Sequence, residues 1–327
     1  MKELQKFYKT CSSHYGFFFA GVLLYAAAMA VLSLFCGAVH WSEVSTVILR
    51  YSRLPRTLGC LFAGAALSVS GAILQKVFGN PLASPNIIGV NAGAGFAITL
   101  CAAFFTLPFW GVSLAAFLGA FGAVLLILLL GNRTHASRTT VVLAGVTLNA
   151  LLNAGSEALV ALFPDVAWAG SDFRIGSFSS VSWGRLLPAM VLIAAALLTV
   201  WLLRNELDIL SLGEETAHGL GISVRFLRAV FLILAALLAG AAVSFAGLLG
   251  FVGLLVPHLV RKFTGDESHR LLPICACFGG GFVAMCDSVS RLVFSPFEFP
   301  VGVLLSFIGG PAFFVILLKQ KRGSAHD

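Results

Sequence analysis

Long apolar runs separated by short polar segments constrain this chain more than any other feature of its sequence. About 20 consecutive apolar residues are enough for a helix to cross the hydrocarbon core of a bilayer. Ten apolar runs can be recognised, at residues 16–39, 53–75, 86–106, 111–131, 139–163, 183–203, 226–246, 248–260, 271–292 and 299–318. Hydrophobic residues make up 59% of the 327 residues and charged residues 11%, which is more apolar surface than a soluble core could bury. We predict an all-α polytopic membrane protein with ten transmembrane helices, forming a single domain over residues 1–327.

The distribution of positive charge predicts the orientation of the chain. Ten spans place both termini on the same side of the membrane. Of the 21 lysines and arginines, fifteen fall in segments on that side and six on the other. Because basic residues are enriched in cytoplasmic loops, we predict that both termini are cytoplasmic. No convincing small-residue cleavage site follows the first apolar run, so we predict a retained helix and not a signal peptide.

Residues 204–228 form the longest central interval that cannot lie in hydrocarbon, because charged side chains recur along it. Ser211 and Glu214 have the spacing of a helix capping box, and Gly219 or Gly221 could end such a helix. A plain solvated connector is the alternative. A short capped helix is more ordered than a connector needs to be, so we interpret this cytoplasmic loop as a docking element.

Motifs for enzymatic chemistry are missing from the sequence. It contains no nucleotide-binding phosphate loop, no His-Glu-x-x-His zinc motif and no Gly-x-Ser-x-Gly nucleophile turn. The seven cysteines include no Cys-x-x-Cys pair, and we interpret them as small apolar residues. We therefore predict no catalytic residue and no metal site. The net charge of +7 is explained by membrane orientation and does not indicate nucleic-acid binding.

One predicted span carries a polar stripe. Asn149, Asn153 and Glu157 recur every four residues in the fifth apolar run, with Ser156 one position aside. Residues four apart share a helix face, and an acid facing lipid at the centre of a helix costs roughly 2.5 to 3.5 kcal/mol. The stripe is therefore expected to face protein or water. Two interpretations remain, hydrogen bonding to a neighbouring helix or the lining of a hydrated translocation pathway, and we favour the pathway.

Several motifs resemble one family of membrane proteins. In chain order they are RLPR at 53–56, GAALSVSGAILQ at 64–75, NPLASPNIIGV at 80–90, LGEETA at 212–217, GFVGLLVPHLVR at 250–261, EFPVG at 298–302 and GGP at 309–311. Together they resemble the permease subunits of ABC importers for iron-siderophores, haem and cobalamin, the FecCD-type permeases. The resemblance covers nearly the whole chain.

This resemblance implies a set of partners and roles. A second permease copy or homologue would complete the pathway at the subunit interface, in the inner or plasma membrane of a prokaryote. Two cytoplasmic ATPase subunits would bind ATP and Mg²⁺, so this chain itself would hold no cofactor, and an extracytoplasmic binding protein would deliver the substrate. The implied docking residues for that binding protein are Arg53, Arg56 and Arg291. The implied ATPase-coupling residues are Ser211, Leu212, Gly213, Glu214, Glu215, Ala217, Gly219 and Gly221.

Two other functional classes compete with this interpretation. An ion-coupled secondary transporter would carry several intramembrane acids or discontinuous helices around a midplane site. Glu157 is the one acid that we place inside a predicted span, which counts against this class. A structural membrane scaffold would have no use for a capped cytoplasmic helix. The sequence therefore favours an ATP-driven importer subunit that moves a bulky metal chelate.

Overall fold

The computed structural model describes residues 15–37, 45–106, 108–134, 138–169, 171–293 and 297–324, and all regular structure within these ranges is helical. In chain order the helices are α1 (Tyr15–Phe35), α2 (Thr46–Phe78), α3 (Val90–Phe104), α4 (Phe109–Thr134), α5 (Arg138–Leu162), α6 (Val166–Ala169), α7 (Ser171–Ile175), α8 (Trp183–Leu202), α9 (Arg204–Ser211), α10 (Glu214–Gly219), α11 (Val224–Ala246), α12 (Val252–Thr264), α13 (Ser268–Val293) and α14 (Val301–Ser324). The predicted all-α class is confirmed.

Several of these helices have the length and composition of membrane spans. In the described part of the chain, α1, α2, α4, α5, α8, α11 and α13 are long and apolar enough to cross a bilayer. Helix α3 and the Val301–Val315 part of α14 are shorter apolar helices, and α12 has 13 residues. Each of the ten predicted runs overlaps one of these helices, seven of which meet the criteria for a span, so the number ten stays a prediction. The chain is therefore a polytopic membrane protein.

Helix α2 begins earlier than the sequence indicated. We placed the start of this apolar run at residue 53, but the helix begins at Thr46 and passes through a π-helical turn at Leu49–Arg53. Within this turn the N–H of Leu54 donates to the carbonyl oxygen of Leu49. Pro55, the next residue, has no N–H to continue an α-helical ladder, so the wider turn lies where that ladder is interrupted.

Helix α2 is a central helix of the bundle, as is α11, and α5 is peripheral. In the most apolar segment of α2, 78% of the residues are buried, compared with 17% in α5. Helix α2 packs against α11 on one side and α13 on another. The α2–α13 contact is very close, since a Cβ atom at Gly279 would lie 2.6 Å from the carbonyl oxygen of Gly64. Ser68 Oγ donates to the carbonyl oxygen of Cys275 across the same contact, at 2.6 Å.

Irregular backbone between α11 and α12 is enclosed by protein. The N–H of Leu248 donates to the carbonyl oxygen of Phe173 at 3.0 Å, and the N–H of Ser177 donates to that of Ala246 at 3.0 Å. The end of α7 and the residues after it are thus bonded to the end of α11 and the residues after that helix. The start of α14 joins them, because the N–H of Gly302 donates to the carbonyl oxygen of Gly176 at 3.1 Å. Non-helical backbone at membrane depth needs such partners, because lipid offers none.

Candidate functional site

The four polar residues of α5 lie together in one cavity. This cavity has a volume of about 590 Å³ and is bounded by α3, α5, α7 and the segment after α11. Its lining residues are Asn86, Asn91, Ala92, Gly95, Asn149, Asn153, Ser156, Glu157, Arg174 and Leu248. We call it the α5 cavity. The four-residue spacing on the helix therefore brings the predicted pathway residues to a single space.

Two of these four residues are bonded within the chain. Asn149 Nδ2 donates to the carbonyl oxygens of Asn86 at 2.7 Å and Ile87 at 2.9 Å, which holds the turn before α3 against α5. Ser156 is buried, and its Oγ donates to the carbonyl oxygen of Leu152 at 3.0 Å. For Asn149 and Ser156 the packing interpretation therefore describes what the side chains do in this structure.

The other two residues of the stripe are open to the cavity. Asn153 and Glu157 are exposed in the single chain. On the opposite side of the cavity, Asn91 Oδ1 is buried and has no hydrogen-bond partner among the described residues. Arg174 also lines this space, and its Nη2 donates to Thr99 Oγ1 at 3.2 Å. The cavity therefore presents amide, carboxylate and guanidinium groups to whatever occupies it.

The predicted coupling segment is helical, but its start differs from the prediction. Ser211 is the last residue of α9, and its Oγ donates to the carbonyl oxygen of Asp208 at 2.6 Å instead of capping a following helix. Helix α10 begins after Gly213, which has φ 112° and ψ 162° and makes no side-chain cap. The predicted capping box between Ser211 and Glu214 is therefore wrong. Two short helices joined through Leu212 and Gly213 replace the single helix.

The end of α10 follows the glycine signal in the sequence. Gly221 has φ +77°, the left-handed conformation that glycine adopts easily, whereas Gly219 is still helical. The N–H of Ile222 donates to the carbonyl oxygen of Ala217 at 3.1 Å, and the N–H of Gly221 donates to that of His218 at 2.9 Å. This pair of bonds is the Schellman motif, so Gly221 is the residue that stops the helix.

Some side chains of the coupling segment are exposed, and others are buried against the bundle. The side chains of Leu212 and Leu220 are 64% and 60% exposed, whereas Ala217 is fully buried. Leu207 and Leu210 of α9 are fully buried as well. The α9–α10 segment thus sits on the bundle through small and aliphatic side chains and leaves two leucines on its outer surface.

The three predicted docking arginines lie at one end of the bundle, but their side chains are buried. Arg56 Nη2 lies 2.9 Å from Asp287 Oδ1, and Arg56 Nη1 lies 2.9 Å from Glu298 Oε1. Arg291 Nη2 lies 3.0 Å from Asp287 Oδ2. Arg53 Nη1 donates to the carbonyl oxygen at the end of α1, that of Leu34, at 2.8 Å. In this structure the arginines therefore bind groups of their own chain and do not present free guanidinium groups to a partner.

Family comparison decides what kind of protein this is. The model of the FecCD transport family matches residues 16–319. The chain belongs to the FecCD transport family. The hemin transport system permease protein HmuU of Yersinia pestis is 37% identical over 276 residues, which cover 83% of each protein. The Fe(3+)-citrate import system permease protein YfmE of Bacillus subtilis is 35% identical over 304 residues, covering 91% of this chain and 89% of the relative.

Solved structures support the same assignment. An ABC transporter described as metal-chelate type and inward-facing matches with a TM-score of 0.84 and 32% identity, covering 93% of this chain and all of the other. PsaBC from Streptococcus pneumoniae shares the fold alone, with a TM-score of 0.56 and 17% identity. This FecCD permease is a transport subunit and not an enzyme, since ATP hydrolysis in such importers belongs to a separate subunit.

Several polar residues of this FecCD permease escaped the sequence reasoning. Asp287 lies inside the predicted span 271–292 and is fully buried, so Glu157 is not the only acid within a predicted span. Its position four residues before Arg291 on a helix was a usable signal for an ion pair. Asn91 and Arg174 of the α5 cavity carried no such local signal, because α3, α5 and α7 come together only in the folded chain.

Among the described residues, no group of three or more histidine, cysteine, aspartate and glutamate side chains is placed to hold a metal ion. The described cysteines are all free thiols.

Proposed function

We propose that this chain is the permease subunit of an ATP-driven importer for an iron-siderophore or a related metal chelate. Family membership supports the class of transporter. Relatives with similar identity are permease proteins for hemin, Fe(3+)-citrate and cobalamin, so they support a chelate as the substrate class.

The exposed polar face of α5 is the observation that carries the proposal. Asn153 and Glu157 are exposed in the single chain, on a helix that also exposes Leu143 and Leu151 by 60% and 68%. An acid left against lipid would be costly. We propose that a second permease copy or homologue covers this face, so that the α5 cavity becomes one wall of a hydrated pathway between two subunits.

The chemistry of the cavity lining favours a hydrophilic chelate. Four asparagines, a serine, a carboxylate and a guanidinium line it, and none of the described lining residues is aromatic. Oxygen-rich siderophores match such groups better than a flat apolar haem does. Haem and cobalamin are the competing substrates, and direct comparison of the three distinguishes them.

The proposed topology places ten helices across the prokaryotic inner or plasma membrane, with both termini and the α9–α10 segment in the cytoplasm. There, Leu212 and Leu220 would contact the ATPase subunits, which would bind ATP and Mg²⁺, while this chain would hold no cofactor. At the other end, the binding protein would dock near Arg56 and Glu298. Because Glu298 is about half exposed, docking there could compete for its bond to Arg56.

Reconstituted transport tests the proposal. The permease, its ATPase and its binding protein are placed in liposomes, and uptake of an iron-loaded siderophore, haem and cobalamin is measured. We expect accumulation of the siderophore that needs ATP and the binding protein, and none with an ATPase variant that cannot hydrolyse ATP. Uptake that follows an ion gradient and ignores ATP would support the secondary transporter instead.

A further inference from the structure

A partly buried polar cluster joins the coupling segment to the ends of two long helices. Asp208 of α9 accepts a hydrogen bond from Lys76 Nζ at the end of α2. Both of its carboxylate oxygens accept from the N–H of Ser268, the first residue of α13, at 3.1 Å. Ser268 Oγ donates to Asp208 Oδ1 at 2.7 Å. One carboxylate therefore binds α2 and α13 to α9.

Each of these contacts satisfies a group that needs a partner. The Lys76 side chain is only 2% exposed, so water does not solvate its ammonium group, and a buried charge without a partner is strongly unfavourable. The N–H of Ser268 is one of the unpaired donors at the start of α13, where the helix dipole also favours a negative charge. Separation of α9 from α13 would leave the N–H of Ser268 without Asp208, and separation of α9 from α2 would do the same to Lys76.

A second carboxylate extends the cluster to α12. Asp266 Oδ1 accepts from Arg261 Nε at 2.6 Å, and Asp266 Oδ2 lies 3.9 Å from Lys76 Nζ. Arg261 also donates to Gln75 Oε1 on α2. The side chains of Asp208 and Asp266 are 36% and 59% exposed, so solvent weakens the interactions of both, and those of Asp266 more. Asp208 belongs to the coupling segment, and it is the residue of the cluster that bonds both buried partners, Lys76 and Ser268.

Helices α2 and α13 are held together along their whole length. Arg56 and Asp287 join them near one end, the Gly64–Gly279 contact joins them in the middle, and Lys76, Asp208 and Ser268 join them at the other end. We expect a pair of helices fixed in this way to move as a rigid body, because close packing leaves little room for sliding.

We propose that Asp208 is a positioning residue for energy coupling, which clamps α9 to α2 and α13 so that the three helices move as one unit. This inference rests on the proposed function, in which an ATPase acts on the α9–α10 segment. A displacement of that segment by the ATPase is then transmitted along α2 and α13 to the other end of the bundle. The side chain of Asp208 connects α9 to these two helices.

The first test measures substrate transported per ATP hydrolysed in the reconstituted importer. We expect Asp208→Asn to lower this ratio by about fivefold or more, the lower range of a typical coupling between two sites. Asp208→Glu should recover most of the loss. The matched control is Glu267→Gln, which removes one negative charge from the residue directly before Ser268. The Glu267 side chain is exposed and its ion pairs in the described part of the chain are with Arg270 and His269 at the surface. An unchanged ratio in Asp208→Asn would overturn the proposal.

A second variant removes the clamp without leaving a buried charge. Lys76→Met combined with Asp208→Leu replaces both charged partners by apolar side chains, a change that folded proteins often tolerate. The same fall in transport per ATP is expected. Absence of ATP-driven uptake in the unmodified importer would refute the proposed function, whereas normal uptake with a normal ratio in this double variant would refute only the role of Asp208.

A distance measurement tests the clamp without changing the cluster. Spin labels are attached at Asn205→Cys on α9 and Glu267→Cys beside the start of α13, two positions on the surface. We expect the same distance with and without ATP bound to the ATPase. A change of about one helical turn or more between the two states would show that α9 moves separately from α13 and would overturn the proposal.

Discussion

Arg56 Nη2 lies 2.9 Å from Asp287 Oδ1, and this ion pair joins α2 to α13 across 231 residues of sequence. Asp287 also binds Arg291, and all three residues are buried. One carboxylate thus compensates two buried guanidinium groups. A second carboxylate, that of Glu298, also pairs with Arg56, but the Glu298 side chain is about half exposed.

Removal of the shared carboxylate should destabilise the protein strongly. We expect Asp287→Asn to cost about 3 to 5 kcal/mol, because buried Arg291 loses its carboxylate and buried Arg56 keeps only the half-exposed Glu298. Glu298→Gln is the matched control, and as an exposed partner it should cost no more than about 1 kcal/mol. Thermal unfolding of both variants in detergent measures the difference. Equal losses of stability would show that burial does not distinguish the two carboxylates.

The contact between α2 and α13 should not tolerate a methyl group. We expect Gly279→Ala to cost about 1 to 3 kcal/mol or to prevent assembly, because its Cβ would lie 2.6 Å from the backbone oxygen of Gly64. Gly122→Ala on α4 is the control, since a Cβ there meets no atom within 4 Å. The yield of folded protein and its unfolding temperature provide the measurement. A neutral Gly279→Ala would contradict the closeness of the helices.

Helix α10 should be required for coupling and dispensable for insertion. Ala217→Pro removes the hydrogen bond from its N–H to Gly213 and costs roughly 3 kcal/mol in a helix interior. We expect the variant to insert in the membrane and to lose ATP-driven uptake. Gly184→Ala at the start of α8 is the control, because it lies outside the coupling segment and a Cβ there meets no atom within 4 Å. Normal uptake by Ala217→Pro would exclude α10 as the coupling helix.

Sequence reasoning located the helices because apolar runs of sufficient length have few alternatives in a membrane. It also predicted which residues of α5 share a face, since Asn149, Asn153 and Glu157 are spaced by about one helical turn. Both conclusions depend on local periodicity. The family motifs then indicated what such a bundle does.

Long-range partners could not be predicted in this way. Arg56 and Glu298 are 242 residues apart, and Lys76 and Asp208 are 132 apart, so no local pattern pairs them. The capping box failed for a different reason. Its residue types fit, but the backbone turns at Gly213, and Ser211 bonds backward into α9 instead.

The central claim, a hydrated pathway along α5, is tested most directly by thiol labelling. Single cysteines replace Asn153, Glu157 and Leu151 in a variant lacking the native cysteines, and each is reacted with a membrane-impermeant thiol reagent in the assembled importer. We expect labelling at Asn153→Cys and Glu157→Cys that changes with the nucleotide state, and little at Leu151→Cys. Equal labelling at all three positions, or none in any nucleotide state, would contradict the pathway and leave helix packing as the role of the stripe.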